Sequence, residues 1–262
     1  MAGVAVGAPL HAQTPPIQDN SFLVEEAYNQ GPGVVQHIST FTSSGGAWVY
    51  GFTQEWPLGG MRSQGSYALA LAHDSAHGTG PGDVALNYRY QLIGTASAAD
   101  RLFLAPRVSV LLPAGSWRAM RGSGSLGLQV NLPASLQFSR LVSAHLNAGA
   151  TFVPRARDVM GARAATWGFN LAGSTILAVR PDLNLMLEGV WLRTQQVVSD
   201  GVTSWSSTTL LNPGVRWAFN FRSGLQVVPG VAWTVDLGPD SDSDGLFLYL
   251  SFEHPFRSEQ QR

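Results

Sequence analysis

A short polar stretch near residue 75 carries the residue types of a serine hydrolase. His73 lies two residues before Ser75, and Asn87 follows twelve residues after that serine. A serine nucleophile needs a base within hydrogen-bond reach and a third group that orients the base. Histidine and asparagine can fill these two roles. The stretch is one candidate active site, and its assembly depends on the side of the chain that each residue faces.

A second set of residues could orient a solute. Its members share the less hydrophobic phase of alternating segments, and they are Glu55, Asp83, Asn87, Arg89, Arg107, His145, Asn147, Glu188, Arg216 and Glu253. Three are arginines and four are acids, so their formal charges nearly cancel. Opposed charges in a water-filled passage can orient a solute. They can also pair with one another and stiffen a narrow interior, and the two roles are compatible.

The elements that must position these residues are β-strands. In the segment at 245–256 every second residue is apolar, and in the segment at 83–93 one face is apolar while the other carries Asp83, Asn87 and Arg89. Alternation of this kind places the two sets on opposite faces of a strand. Such segments follow one another at 34–43, 47–57, 65–74, 83–93, 101–113, 125–138, 141–154, 165–179, 183–194, 207–221, 225–237 and 245–256.

The composition predicts the class of fold. Charged residues make up 13% of the chain, against roughly 25% in a typical soluble domain, and hydrophobic residues make up 45%. No apolar run reaches the ~18 residues of a membrane-spanning helix. A soluble β-sandwich or lipocalin-like barrel would carry many Lys and Glu on its polar faces, whereas these carry Gly, Ser, Asn and Gln. We therefore predict an all-β protein, a transmembrane antiparallel β-barrel of about 12 strands over residues 34–256, in the bacterial outer membrane.

Aromatic residues near the strand ends agree with this prediction. Rings at the two membrane interfaces are typical of lipid-facing surfaces. The residues concerned are Trp48, Tyr50, Trp56, Trp167, Trp191, Trp217, Phe219, Phe221 and Trp233. Short connections alternate with longer ones at 114–124, 155–164 and 195–206, which are expected outside the cell because outer-membrane barrels have short periplasmic turns.

The ends of the chain suggest additional segments. Residues 1–12 have the composition of a signal-peptide remnant, and residues 257–262 form a periplasmic tail. Residues 13–33 are either a periplasmic segment or a plug that enters the lumen and meets Arg89, Arg107 or Arg216. The expected partners are membrane lipid, a small-molecule solute and the barrel-assembly machinery. The net charge of −1 does not suggest nucleic acid, the absence of cysteine excludes thiolate metal sites, and we expect no metal and no cofactor.

Four prolines fall inside predicted strands, where they are unfavourable. They are Pro106, Pro133, Pro213 and Pro229. Proline cannot donate to the strand ladder, and a closed barrel has no edge to place it on. One interpretation is a local bulge in the wall at each pair. The other is a weakened lateral seam, through which a hydrophobic solute could leave the lumen sideways.

Three stretches of the sequence resemble a known family. The segments at 17–37, 80–92 and 101–115 are similar to outer-membrane proteins named for the meta-cleavage pathway of phenol degradation. The resemblance covers most of the chain, and it implies a transporter-like barrel, with aromatic compounds as one suggested cargo. The final strand also resembles the terminal signal that the barrel-assembly machinery reads.

The His73–Ser75–Asn87 pattern is similar to the catalytic arrangement of outer-membrane phospholipase A, itself a twelve-stranded barrel. Strand phase argues against activity, because Asn87 shares a face with Arg89 while His73 and Ser75 share the opposite, lipid-side phase. We therefore predict that the chain is not an enzyme but a channel or transporter for small, hydrophobic or aromatic solutes. A lipid hydrolase using Ser75 and His73, and a non-conducting structural barrel, are the two alternatives.

Overall fold

The computed structural model describes residues 17, 21–94, 100–238 and 244–256, so the predicted signal-peptide remnant at 1–12 and the tail at 257–262 lie outside the described residues. Within the described part, twelve strands form the wall. They are β1 Val34–Ser44, β2 Ala47–Pro57, β3 Ser63–Asp74, β4 in two pieces, Gly78–Pro81 and Val84–Tyr90, β5 in two pieces, Leu102–Leu104 and Arg107–Leu112, β6 Gly127–Gln137, β7 Val142–Arg157, β8 Arg163–Arg180, β9 Leu183–Ser199, β10 in two pieces, Val202–Trp217 and Phe219–Asn220, β11 Gln226–Asp236, and β12 Gly245–Pro255.

The strands form a closed barrel. Each strand pairs antiparallel with the one before it, and the first and last strands also pair, from Val34 opposite Pro255 to Ser44 opposite Gly245. Both ends of the wall sequence therefore lie on one rim, which we call the terminal rim, and the opposite end is the far rim. The predicted twelve-stranded antiparallel barrel is confirmed.

Two of the predicted long connections are instead continuous β-hairpins. β7 ends at Arg157 and β8 begins at Arg163. β9 and β10 are joined only by Asp200 and Gly201. The expectation of long loops at 155–164 and 195–206 was therefore wrong. Asp-Gly is a strong hairpin signal, because glycine adopts the positive φ of the turn, here 73° at Gly201. Residues 113–126 do form a loop, with a short 3-10 helix at Trp117–Ala119.

The outer surface of the wall is apolar and the inner surface is mostly polar. In β6, Leu128, Val130 and Leu132 are 44–52% exposed on the outside, while Asn131 and Ser135 are buried on the inside. Water cannot satisfy backbone groups in hydrocarbon, so a closed barrel with an apolar exterior is one of the few folds that suit a bilayer. Among the described residues, no helix has the length and apolar character needed to cross a membrane.

Candidate functional site inside the barrel

The segment that precedes β1 lies inside the barrel and is held by side chains of the wall. The backbone amides of Leu23 and Val24 donate to Glu188 Oε1 at 2.9 and 3.2 Å. The amide of Glu25 donates to Asn147 Oδ1 at 2.8 Å, and Asn147 Nδ2 donates back to the Glu25 carbonyl at 2.7 Å. Buried backbone groups need hydrogen-bond partners. The polar inner face therefore supplies to this segment the bonds that a neighbouring strand would otherwise provide.

Glu25 joins the segment to two arginines of the wall. Its Oε1 lies 3.0 Å from Arg89 Nη1, and its Oε2 lies 2.9 Å from Arg107 Nε. Asn131 Nδ2 donates to the same Oε2 at 3.0 Å. Burial by itself raises the pKa of the Glu25 carboxyl, but the charges of Arg107 and Arg89 and these hydrogen bonds outweigh it, so the pKa lies below its ordinary value. The carboxyl is thus ionised at neutral pH.

Glu26 makes a second, more deeply buried attachment. Its Oε1 lies 3.2 Å from Arg216 Nη2, accepts a bond from Ser21 Oγ at 3.1 Å, and lies 3.9 Å from His145 Nε2. Burial raises the pKa of Glu26 to about 7, although the Arg216 charge and the Ser21 bond act in the opposite direction. The two adjacent glutamates therefore face opposite parts of the wall, Glu25 towards β4 and β5 and Glu26 towards β10.

Arg89 is the residue of the wall with the most bonds to the segment. Its side chain is 3% exposed, and besides Glu25 it donates to Asn29 Oδ1 at 2.9 Å, to the Glu26 carbonyl at 3.2 Å and to the Tyr28 carbonyl. A guanidinium group has five N–H donors in a rigid planar arrangement, so one arginine can bond several acceptors of an irregular segment at once. Arg89 therefore holds the segment at successive points along its length.

An apolar contact accompanies these polar ones. The Phe22 ring lies 5.5 Å from the Phe247 ring and 5.2 Å from the Tyr249 ring, centroid to centroid. A Cβ atom on Gly214 or Gly230 would lie 2.6 or 2.5 Å from the Phe22 ring. Both glycines therefore have to lack a side chain for the ring to lie flat against β10 and β11. The inside of the barrel thus contains an aromatic patch between polar regions.

A cavity of about 480 Å³ remains beside the segment, against β6 to β9. Its lining is rich in amides and hydroxyls, with Leu23 and Glu25 of the segment on one side. The wall contributes Arg107, Gln129, Asn131, Asn147, Thr151, Thr166, Asn170, Thr194 and Gln195, among others. The interior is therefore partly occupied by the segment and partly open.

Most residues of the predicted lumen set come together around this segment. Arg107 also donates to Asn87 Oδ1 at 2.9 Å, and Glu55 accepts from Gln64 Nε2 at 2.6 Å with Arg89 3.8 Å away. The other members in contact with the segment or its partners are Asn147, His145, Glu188 and Arg216. Glu253 lies near the terminal rim, in register with Gln36 and Gln226.

Asp83 lies apart from this group. Its Oδ1 accepts from the Gly115 amide at 3.0 Å, and its Oδ2 accepts from the amide and the hydroxyl of Ser123, both at 2.8 Å. It therefore fixes the loop at 113–126 on the far rim. Asp83 lies where the register between β3 and β4 shifts by one residue. Leu71 is opposite Pro81 and Ala68 is opposite Ala85, so the stretch of β4 between these pairs has one residue more than that of β3. Strand phase alone did not reveal this shift.

Small polar residues that hold the segment were missed by sequence reasoning. Ser135 Oγ accepts from the Ala27 amide at 2.8 Å, and Gln91 Nε2 donates to the Ala27 carbonyl at 2.9 Å. Gln64 Oε1 accepts from the Gln30 amide at 2.7 Å. Each occupies the inward phase of its strand, which was the available signal. Serine and glutamine are common on such a face, so they cannot be singled out without knowing which groups of the segment they contact.

The hydrolase candidates are not brought together. His73 Nδ1 lies 2.9 Å from Thr79 Oγ1, and Ser75 is in the exposed turn after β3. Asn87 donates to Ser66 Oγ at 3.0 Å, inside the barrel. Because Ser66 and His73 are seven residues apart on one strand, the asparagine and the histidine are separated by about 24 Å. Among the described residues, no group of three side chains suited to a metal ion is present either.

Each pair of strand prolines coincides with unpaired positions in a ladder whose register is otherwise constant, one such step between β5 and β6 and two between β10 and β11. Between β5 and β6 the register continues from Leu104 opposite Ala134 to Arg107 opposite Asn131, and the Ala105 amide donates to the Pro133 carbonyl at 3.1 Å. Pro106 likewise accepts from the Tyr90 amide of β4 at 3.0 Å. The first proline pair therefore leaves the β5–β6 register intact.

The second proline pair coincides with interruptions between β10 and β11. Pairing stops after Leu211 and Val235 and resumes at Gly214 and Ala232, so Pro213 lies in an interruption. It stops again after Arg216 and Gly230 and resumes at Phe219 and Val227, so Pro229 lies in a second one. Asn212 spans the first, because it accepts from Thr234 Oγ1 at 2.7 Å. The ladder between these two strands is thus interrupted twice.

The fold is similar to solved structures of outer-membrane channels. A channel from Pseudomonas putida F1 has a TM-score of 0.67 at 15% identity, with 87% of this chain and 97% of that chain covered. The NanC porin has a TM-score of 0.54 at 10% identity, with 84% and 98% covered, and the KdgM porin 0.53 at 10%, with 85% and 99% covered. No family model and no curated protein matches the sequence. The chain has the fold of a bacterial outer-membrane β-barrel.

Proposed function

We propose that this barrel is a channel for small solutes, with a preference for hydrophobic or aromatic ones, and that its N-terminal segment is a plug. The observation that carries the proposal is the aromatic patch in the lumen, where Phe22 packs on Gly214 and Gly230 beside Phe247 and Tyr249. An apolar solute that displaces Phe22 would find a surface already shaped for a ring. The similar solved structures are themselves porins and channels, which supports the passage of solutes.

The preference for aromatic solutes also rests on the resemblance to the family named for phenol degradation. The buried charges agree with it, because Glu25 and Glu26, the acids of the segment that the structure describes, already face arginines, which leaves little net charge to attract ionic solutes. A non-conducting structural barrel would need no open space beside the segment, whereas a cavity of about 480 Å³ is present. A lipid hydrolase would need His73 and Asn87 to meet, and they face different partners.

We further propose a lateral exit between β10 and β11. The two interruptions of the ladder, at Pro213 and Pro229, lie on either side of the contact of Phe22 with Gly214 and Gly230. Because proline has no N–H to give to a ladder, this part of the wall should separate more easily than a fully paired stretch. A ring that replaces Phe22 would thus lie next to the unpaired positions of this ladder.

The uptake of radiolabelled toluene and of radiolabelled glucose into proteoliposomes tests the preference. We expect the purified protein to accelerate the binding and accumulation of toluene in liposomes loaded with an apolar sink, and to leave glucose uptake close to that of empty liposomes. Glucose uptake that exceeds the toluene effect would contradict the preference while leaving the channel role intact.

A further inference from the structure

We infer that the far rim, on the side formed by β7 to β9, binds the phosphate groups of lipopolysaccharide. All sixteen basic residues of the chain are arginines. Five of them lie on this part of the rim, and they are Arg118, Arg155, Arg157, Arg163 and Arg193. We call them the arginine rim. Arginine suits phosphate because its planar fork donates two parallel hydrogen bonds.

The arginine rim has no acidic partners in the part of the chain that the structure describes. Among the described residues, no carboxylate lies within salt-bridge distance of any of the five guanidinium groups. The two acids of these hairpins bond to backbone instead. Asp158 accepts from the amides of Met160 and Ala162 at 3.0 and 2.8 Å, and Asp200 accepts from the amide of Arg163 at 2.8 Å. Within residues 21–94, 100–238 and 244–256, the positive charge of this surface therefore has no carboxylate partner.

Two of the arginines face each other directly. Arg157 and Arg163 are cross-strand partners at the tip of the β7–β8 hairpin. Like charges in this position destabilise a hairpin unless an anion lies between them. Arg157 and Arg118 also lie over the Trp117 ring, at 5.4 and 4.0 Å from its centroid. The Trp117 ring thus holds Arg118 and Arg157 near Arg163, so three positive charges lie close together.

The position of the cluster relative to the membrane identifies the occupant. Directly below Arg157 and Arg163, rings of β7, β8 and β10 form a row, with the centroid of Phe152 4.6 Å from Trp167, Trp167 6.2 Å from Phe169, and Phe169 5.9 Å from Trp205. Such rows lie at the membrane interface. Arg193 lies at this level, over the Trp205 ring at 5.1 Å. Arg193 therefore lies at the level of the lipid headgroups in the membrane.

The lipid of the outer leaflet carries the matching charge. Lipopolysaccharide bears phosphates on its diglucosamine, at headgroup height, and on its inner core, just above. Arg193 matches the first level, and Arg157 and Arg163, which lie beyond the aromatic row, match the second. The inference rests on the expected orientation, with the far rim outside the cell, and does not depend on which solute the channel passes.

Binding of rough lipopolysaccharide to the purified protein in detergent, followed by native mass spectrometry, tests the inference. The double variant Arg157→Gln/Arg163→Gln should bind at least about tenfold more weakly than the parent, because charged hydrogen bonds to phosphate are lost. The matched control is Arg140→Gln/Arg222→Gln, which removes two exposed arginines from turns of the terminal rim. Its binding should stay within about twofold of the parent.

Two measurements on the parent protein make the test independent of how the variants fold. Lipopolysaccharide stripped of its phosphates should bind at least about tenfold more weakly, and millimolar inorganic phosphate should not displace the intact lipid. Equal binding of the stripped lipid, equal losses in both double variants, or displacement by free phosphate would each overturn the inference, the last because the site would then bind phosphate from any source.

Discussion

At the residue level, two adjacent glutamates attach the N-terminal segment to the wall. Glu25 pairs with Arg89 and Arg107, and Glu26 pairs with Arg216, so one dipeptide connects opposite sides of the wall. Hydrogen bonds to charged groups contribute roughly 1.5–3 kcal/mol each. Departure of the segment would leave buried arginines without their carboxylates. The free-energy cost of these uncompensated charges holds the segment in place.

Replacing Glu25 by Gln should loosen the segment. The neutral amide keeps the shape of the side chain but loses its attraction to Arg89 and Arg107, so the segment should leave its site at least about tenfold more often. Hydrogen exchange of the amides at 21–30, followed by mass spectrometry, measures this directly. The matched control is Asp182→Asn, which removes an exposed ion pair with Arg180. Exchange that is equally slow in both variants would show that the Glu25 pairs do not hold the segment.

At the scale of the element, the interrupted β10–β11 ladder is the feature with a functional consequence. The chain has no cysteine, so a disulfide can be introduced without interference. Leu211 and Val235 are register partners at the edge of the first interruption. Their replacement by cysteine should give a disulfide that fixes the two strands and slows the passage of an apolar solute severalfold. Reduction of the disulfide should restore the parent rate.

The control for this cross-link is a cysteine pair at Leu177 and Leu185, which are register partners on β8 and β9. That ladder continues without interruption from this pair as far as Gly168 and Thr194, and the nearest register shift lies beyond Ala178. Its disulfide should leave uptake unchanged. If both cross-links slow uptake equally, the barrel needs general flexibility rather than an opening at β10–β11.

The sequence predicted the strands well because alternation is a local property. Apolar residues at every second position identify both faces of β6 without knowledge of the neighbours. Interruptions and bulges depend on neighbours, so strand phase placed Asp83 with Arg89 although a register shift separates their roles. The prolines were visible, but the ladder that each one interrupts depends on which neighbouring strand the missing N–H would face.

The site was predictable only in part, for a related reason. The charged wall residues were recognised from their phase, and the segment at 13–33 was considered as one of their partners. The aromatic patch was not expected, because Phe247 and Tyr249 occupy the phase opposite Leu246 and Leu248 in a strand that is apolar on both faces. Alternation cannot decide which face of such a strand is the inner one. The ring of Phe22 and its two glycines became informative only in three dimensions.

At the scale of the whole molecule, the orientation of the barrel gives a further prediction. Cysteine replacing Ser116, Asp158 or Asp200, all on the far rim, should react with an impermeant maleimide in intact cells. Cysteine replacing Asp182, on the terminal rim, should react only after the cells are broken. The physical reason is that outer-membrane barrels carry their longer connections outside the cell, and the loop at 113–126 lies on the far rim. The reverse pattern would require the opposite orientation and would remove the basis for lipopolysaccharide binding at the arginine rim.

If the N-terminal segment occupies and controls the channel, its removal should change single-channel conductance in planar bilayers. The intact chain should show small or rare openings, because the segment and its ion pairs fill much of the lumen. A variant that lacks residues 13–30 should show a large and steady conductance, since Arg89, Arg107 and Arg216 would then face water. Equal conductance of the two proteins would show that the segment does not control the channel.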